Sequence, residues 1–96
     1  MGAAAAPSAV INLPEILDLK AATALQADLL RCRGEDLVLD ASDVRRLGGQ
    51  CLQILLAARQ TWLTHGHTFR VSNASEAFQQ NLKIFGADLP GEDQRP

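Results

Sequence analysis

The fold is decided by residues 37–56, which read LVLDASDVRRLGGQCLQILL. Three apolar residues at 37–39 are followed by the turn formers Asp40 and Ser42, a pattern that predicts a short buried strand. The chain then passes through an arginine-bearing loop and the pair Gly48-Gly49 into an apolar pattern of helical spacing. A strand that enters a helix through a tight loop is half of a βαβ unit, and such loops often carry functional sites.

Size and composition limit the possible functions. The chain has 96 residues, is 47% apolar and carries a net charge of −2, so we expect one small domain without a roomy catalytic cavity. The charge does not fit a nucleic-acid partner, which requires a basic surface. No apolar run approaches the ~20 residues that span a bilayer, so we expect no direct membrane insertion. The first residues lack the charged and apolar regions of a signal peptide, which predicts a cytoplasmic protein with reduced Cys32 and Cys51.

Toward the N-terminus, the pattern predicts a strand, a short apolar segment and a helix. Residues 1–7 are predicted to be a flexible tail, and residues 8–13 a first strand. Ile16-Leu17 is a short apolar pair that fits either a further strand or a turn. A helix is expected at about 20–32, with Asp18 as its N-cap.

Toward the C-terminus, helical and alternating patterns follow each other. The helix that begins near Gly49 should run to about His65, with a wide buried face that comprises Leu52, Leu55, Leu56, Leu63, Cys51, Ala58 and Trp62. Residues 67–71 alternate like a strand. A last helix is expected at about 75–85 with Asn73 as its cap, and residues 90–96 should form a second flexible tail.

This order, β-(β)-α-β-α-β-α, predicts an α/β fold. We expect a mixed or mostly parallel sheet of about four strands, with the helices packed mainly on one face. A single domain over residues 8–89 accounts for all of these elements.

Four segments, in this order and spacing, resemble the STAS domain family, which includes anti-sigma factor antagonists and sulfate-transporter C-terminal domains. Residues 15–19 are similar to the family's Gly-Glu-Leu-Asp segment, 39–44 to its Leu-Asp-Leu-Ser-Gly-Val, 51–56 to its Gly-Leu-x-x-Leu-Leu and 66–71 to its Gly-x-x-Leu-x-Leu strand. Phe78, Leu82 and the pair Phe85-Gly86 also fit the family's final helix. The resemblance covers Val10 to Leu89. It implies the family's fold and a role in binding other proteins.

The chain departs from the family at the start of the second long helix. Phospho-regulated members carry Asp-Ser-Ser-Gly or Asp-Thr-Ala-Gly there, and a kinase partner modifies the first Ser or Thr. Here the four residues are Gly48, Gly49, Gln50 and Cys51. Because no hydroxyl is present, we expect no phosphorylation at this position. We interpret Ser42 and Ser75 as structural residues of a turn and a helix start.

The loop and helix start at 43–53 are the predicted partner-binding site. Arginine is enriched at protein interfaces and pairs with carboxylates through two hydrogen bonds, although two arginines in a polar loop also suit a solvated edge. Bare glycine backbone suits either a close approach by a partner or simple helix entry. The predicted binding residues are Asp43, Arg45, Arg46, Gly48, Gly49, Gln50 and Gln53.

No stretch of the sequence predicts catalysis. The pair His65 and His67 lacks the further ligands of a metal site, and Cys51 belongs to an apolar helical face, as does Trp62. No acid, base and nucleophile converge on one segment, so we expect neither an enzyme, a metal nor a cofactor.

The sequence therefore predicts a non-catalytic interaction module in bacterial signalling. The resemblance implies a GHKA-type kinase, an anti-sigma factor or a chemotaxis protein as the partner. An alternative with the same fold is an accessory subunit of a phospholipid-transport ABC system that binds the ATPase. We rank it second because those relatives usually carry a Thr at the helix start.

Overall fold

The computed structural model describes residues 9–89 as an α/β fold with three helices. The predicted tails, 1–7 and 90–96, lie outside the described residues. The elements in chain order are β1 (Ala9–Asn12), β2 (Ile16–Leu17), α1 (Leu19–Arg31), β3 (Leu37–Asp40), β4 (Arg46–Leu47), α2 (Gly49–Thr64), β5 (Phe69–Ser72) and α3 (Glu76–Phe85).

The strands form two small parallel sheets within residues 9–89, where we had expected one mixed sheet of about four strands. One sheet has the order β1-β3-β5, and the other pairs β2 with β4. The strand β4 was not predicted. It forms because the backbone N–H groups of Arg45 and Arg46 both donate to the carbonyl of Glu15, at 2.7 and 3.1 Å. These bonds align the segment after β3 with β2.

The helices α1 and α2 cover the same face of the larger sheet. Both crossovers step in the same direction across β1-β3-β5, and right-handed crossovers then place both helices on one side. The register row of Ile11, Leu39 and Val71 is buried in the core. On the opposite face, Val10 and Arg70 are exposed.

The starts of α1 and α3 show which residues hold the ends of these helices. Asp18 caps α1 as predicted, because its carboxylate accepts from the N–H of Ala21 at 3.1 Å. The predicted cap of α3 is wrong: Ser75 caps the helix, and Asn73 lies before it with φ of 53°. The amide of Asn73 instead donates to Asp40 at 3.2 Å, which holds it in the turn after β5.

The buried face of α2 is narrower than predicted. The buried residues are Cys51, Leu52, Leu55, Ala58 and Trp62, whereas Leu56 is half-buried. Leu63 is 48% exposed and lies in the last turn of the helix. The apolar pattern of α2 therefore predicted more buried residues than the fold buries.

Candidate docking site at the start of helix α2

The loop between β3 and α2 begins with a turn that Asp40 holds. Its carboxylate accepts from the hydroxyl of Ser42 at 2.7 Å and from the N–H of the same residue at 2.9 Å. These hydrogen bonds, led by that of the hydroxyl, lower the pKa of Asp40 below its ordinary value. The Ser42 hydroxyl is therefore engaged in the turn, as the sequence had led us to expect.

The middle of the loop presents three charged side chains to solvent. Asp43, Arg45 and Arg46 are all exposed. One guanidinium nitrogen of Arg45 lies 3.7 Å from a carboxylate oxygen of Glu15, an exposed pair of the kind that contributes little to stability. Arg46 has no such ion pair within residues 9–89, so it is available to an incoming carboxylate.

Gly48 has a structural reason to be glycine. Its N–H donates to the carbonyl of Leu17 at 2.8 Å. A Cβ on Gly48 would lie 3.2 Å from that same oxygen, which is backbone and cannot turn aside. Gly48 is half-buried, and its small size lets α2 begin directly beside β2.

Gly49 has no comparable constraint. It is exposed, and a Cβ there would meet only the ring of Phe85, at an ordinary 3.7 Å. Gln50 and Gln53 follow it on the exposed surface of the helix. The start of α2 is therefore open to solvent, and neither glycine is sealed in the core.

The start of α2 also has no side-chain cap. Gly48 occupies the N-cap position without a side-chain hydrogen bond, and the first turn holds no acidic residue. The N-cap of α3 is different: the hydroxyl of Ser75 accepts from the N–H of Phe78 at 3.0 Å and donates to the carbonyl of Val44 at 2.6 Å. Ser75 thus has a structural role, as expected.

The structure brings the seven predicted binding residues to one end of the molecule. They all lie on the loop and the first turns of α2, and Gly48 alone of them is not fully exposed. Accessibility is necessary for docking but does not demonstrate it, so partner binding by these residues stays a prediction.

Sequence reasoning missed the apolar side chains that surround this helix start. Ile16, Leu19, Ile84 and Phe85 are all exposed. Phe85 has the helical spacing of the buried residues Phe78 and Leu82, so the sequence pattern did not mark it as exposed. Helical spacing gave no signal for Leu19, because it is three residues before the buried Ala22 and shares its flank of α1.

The side chains considered for catalysis or metal binding make contacts that stabilise the fold. Cys51 is fully buried with its Sγ 3.3 Å from the carbonyl of Asp18, and burial raises the pKa of its thiol. The imidazole of His67 lies 3.6 Å from the carboxylate of Asp36. No group of three potential metal ligands occurs in the described part of the chain.

Trp62 is a core residue. Its indole N–H donates to the carbonyl of Glu35 at 2.7 Å, and its ring meets that of Phe69 edge-on with centroids 5.7 Å apart.

Of the helices within residues 9–89, none is long and apolar enough to cross a membrane.

Comparison with known families identifies the fold. The family model described as "Mlab, STAS domain" matches residues 1–89. The chain therefore belongs to the STAS domain family, as the four sequence segments predicted. STAS domains are generally non-catalytic modules that bind other proteins. No curated protein matches the chain.

Proposed function

We propose that this STAS domain docks a signalling protein through the loop at 43–48 and the first turns of α2. The observation that carries the proposal is the open start of α2, where exposed Gly49 presents bare backbone next to Arg46. The partner is a GHKA-type kinase, an anti-sigma factor or a chemotaxis protein. Its binding is reversible and involves no chemical step.

The absence of a hydroxyl at the helix start determines the kind of regulation. A phosphate at a helix N-terminus is favourable because free N–H groups point at it. Here Gly48, Gly49 and Gln50 offer no acceptor for it, and the nearby Ser42 and Ser75 use their hydroxyls in internal hydrogen bonds. We therefore propose that occupancy is set by partner concentration and not by phosphorylation of this segment.

A second candidate is an accessory subunit of a phospholipid-transport ABC system that binds the ATPase. The description of the matched family model, "Mlab, STAS domain", favours it. It uses the same docking surface, so the identity of the captured partner separates the two candidates.

The experiment is to capture partners from a native cell extract with the wild-type chain and with Gly49→Arg. A Cβ at this position meets only ordinary contact, so the variant should fold while its long charged side chain blocks the start of α2. We expect the wild type to retain a kinase, an anti-sigma factor or a chemotaxis protein, or else an ABC ATPase. Gly49→Arg should retain at least about tenfold less.

The matched control is Gln60→Arg, which adds the same side chain to an exposed position of the same helix. It should bind like the wild type. If Gly49→Arg is folded by circular dichroism and still captures the partner, the docking surface lies elsewhere. Incubation of the captured kinase with ATP and the wild-type chain should add no phosphate by intact-mass measurement.

A further inference from the structure

The exposed apolar side chains of the molecule are concentrated around the start of α2. Within residues 9–89, seven large apolar side chains are exposed. Three of them are elsewhere: Val10 on the outer sheet face, and Leu30 and Leu63 toward the C-terminal ends of their helices. The other four are Ile16, Leu19, Ile84 and Phe85, which are 39%, 72%, 79% and 47% exposed.

One ring contact, together with hydrogen bonds and strand pairing of the same or adjacent residues, places these four side chains near the same helix start. Leu19 follows Asp18, whose carbonyl lies 3.3 Å from Sγ of Cys51. The ring of Phe85 lies 3.7 Å from the position of a Gly49 Cβ. We call Ile16, Leu19, Ile84 and Phe85 the apolar collar.

The other two members of the apolar collar are placed by β4. Ile16 is the register partner of Arg46. The residue one turn before Ile84, Asn81, accepts from the N–H of Leu47 at 3.0 Å, and positions three apart share a helix flank. The collar and Arg46 therefore belong to one end of the molecule.

The charge at this end is small and localised. Arg45 is paired with Glu15, which leaves Arg46 as the cation of the loop without an ion pair in the described part of the chain. The carboxylates of Asp18 and Asp43 are exposed nearby. An anionic membrane is attracted by clusters of several basic residues. The basic residues of this end, Arg45, Arg46, Lys20 and Lys83, are interspersed with the carboxylates of Glu15, Asp18 and Asp43, so they do not form a purely basic cluster. A protein surface with apolar side chains and one or two carboxylates complements it better.

We infer that the partner presents apolar side chains to the collar and places a carboxylate against Arg46. This inference rests on the proposed function, because it specifies the partner of the same surface. It predicts that affinity depends on side chains of α1 and α3, outside the segment 43–53.

The experiment measures the affinity of the captured and purified partner by isothermal titration calorimetry. Leu19→Ala and Ile84→Ala should each weaken binding at least about fivefold, since buried apolar anchors carry much of the energy of an interface. Leu30→Ala is the matched control: Leu30 is also exposed on α1, but toward its other end. It should bind within about twofold of the wild type.

The role of the Arg46 charge is tested by reversing it and then by also reversing the facing charge of the partner. Arg46→Glu should weaken binding at least about tenfold, and changing the facing acidic residue of the partner to Arg should restore it. Arg33→Glu, at an exposed position beyond the other end of α1, should change affinity less than twofold. Circular dichroism checks that each variant is folded.

The outcomes separate this inference from the proposed function. Loss of binding in Gly49→Arg with unchanged affinity in Arg46→Glu, Leu19→Ala and Ile84→Ala overturns the inference and leaves the docking surface standing. Unchanged binding in Gly49→Arg overturns both. Collar-dependent binding to vesicles of phosphatidylcholine and phosphatidylglycerol, without a protein partner, would also overturn the inference and identify a membrane surface instead.

Discussion

The starts of α2 and α3 lie on the same side of the fold and are built in opposite ways. At α3, the hydroxyl of Ser75 is used twice, as a cap for the helix and as a donor to the carbonyl of Val44. At α2, Gly48 caps nothing with a side chain and Gly49 is open to solvent. The N-cap side chain of α3 therefore makes its hydrogen bonds within the molecule, whereas the N-cap of α2 has no side chain that could make one.

The two helix starts therefore have different roles. A capped start stabilises the fold, and substitution there should be costly. An uncapped, exposed start contributes less to stability, so Gly49 is free to serve binding. Three measurements of stability test whether the two helix starts differ in this way.

The greatest loss of stability is expected for a substitution at the start of α3. Ser75→Ala removes the cap and leaves the carbonyl of Val44 without its donor, so we expect unfolding to require about 2 kcal/mol less free energy. Urea denaturation followed by circular dichroism measures this loss. Ser75→Thr keeps the hydroxyl and is the matched control. A loss below about 0.5 kcal/mol in Ser75→Ala would mean that the two helix starts do not differ as described.

At the start of α2, we expect smaller changes in the free energy of unfolding, with opposite signs for substitutions of Gly48 and Gly49. Gly48→Ala places a Cβ 3.2 Å from the carbonyl of Leu17 and should destabilise the chain by about 1 kcal/mol. Gly49→Ala meets only ordinary contact and should stabilise it by about 0.5 kcal/mol, because alanine favours the helix. The same urea titration compares the two variants. Equal losses at both positions would show that Gly49, too, is required by the fold.

The smallest expected effect is a change in pH dependence at the turn that precedes α2. The folded state lowers the pKa of Asp40, so the ionised carboxylate stabilises the fold above its unfolded pKa of about 4. This stability is lost as the pH falls through the folded pKa.

Asp40→Asn should therefore reduce the fall in unfolding free energy between about pH 5 and pH 2. The reduction is partial because the pKa of Asp36 is lowered as well, mainly by the N–H of Thr68. Unfolding free energies at a series of pH values test this. Ser42→Ala, which removes one donor to Asp40, should have an intermediate effect, and an unchanged slope in both variants would contradict the role of this turn.

The order of elements was predictable because it depends on local signals. Asp18 before an apolar rhythm fixed the start of α1, and the glycines at 34, 66 and 86 follow the ends of the helices, each with a positive φ. The strand β4 was not predictable from its own two residues, because it exists through hydrogen bonds to Glu15, thirty residues earlier in the chain. A pairing that depends on the tertiary fold leaves no pattern in a short segment.

The candidate site was predictable in part. The loop and helix start followed from the strand-to-helix transition in residues 37–56, whereas partner binding there and the missing phosphorylation stay predictions. The apolar collar was not found, since its members come from three separate elements. Phe85, moreover, has the same helical spacing as the buried residues Phe78 and Leu82. Only their arrangement in space shows that it is partly exposed.

The position of Trp62 gives the protein an intrinsic optical probe. It is the only tryptophan of the chain, it is buried, and it lies thirteen residues, about 20 Å, along α2 from Gly49. Its fluorescence should therefore follow unfolding and remain nearly constant when a partner that lacks tryptophan binds at the other end of the helix. Conformational stability is thus measurable without a label in the same sample in which binding is titrated.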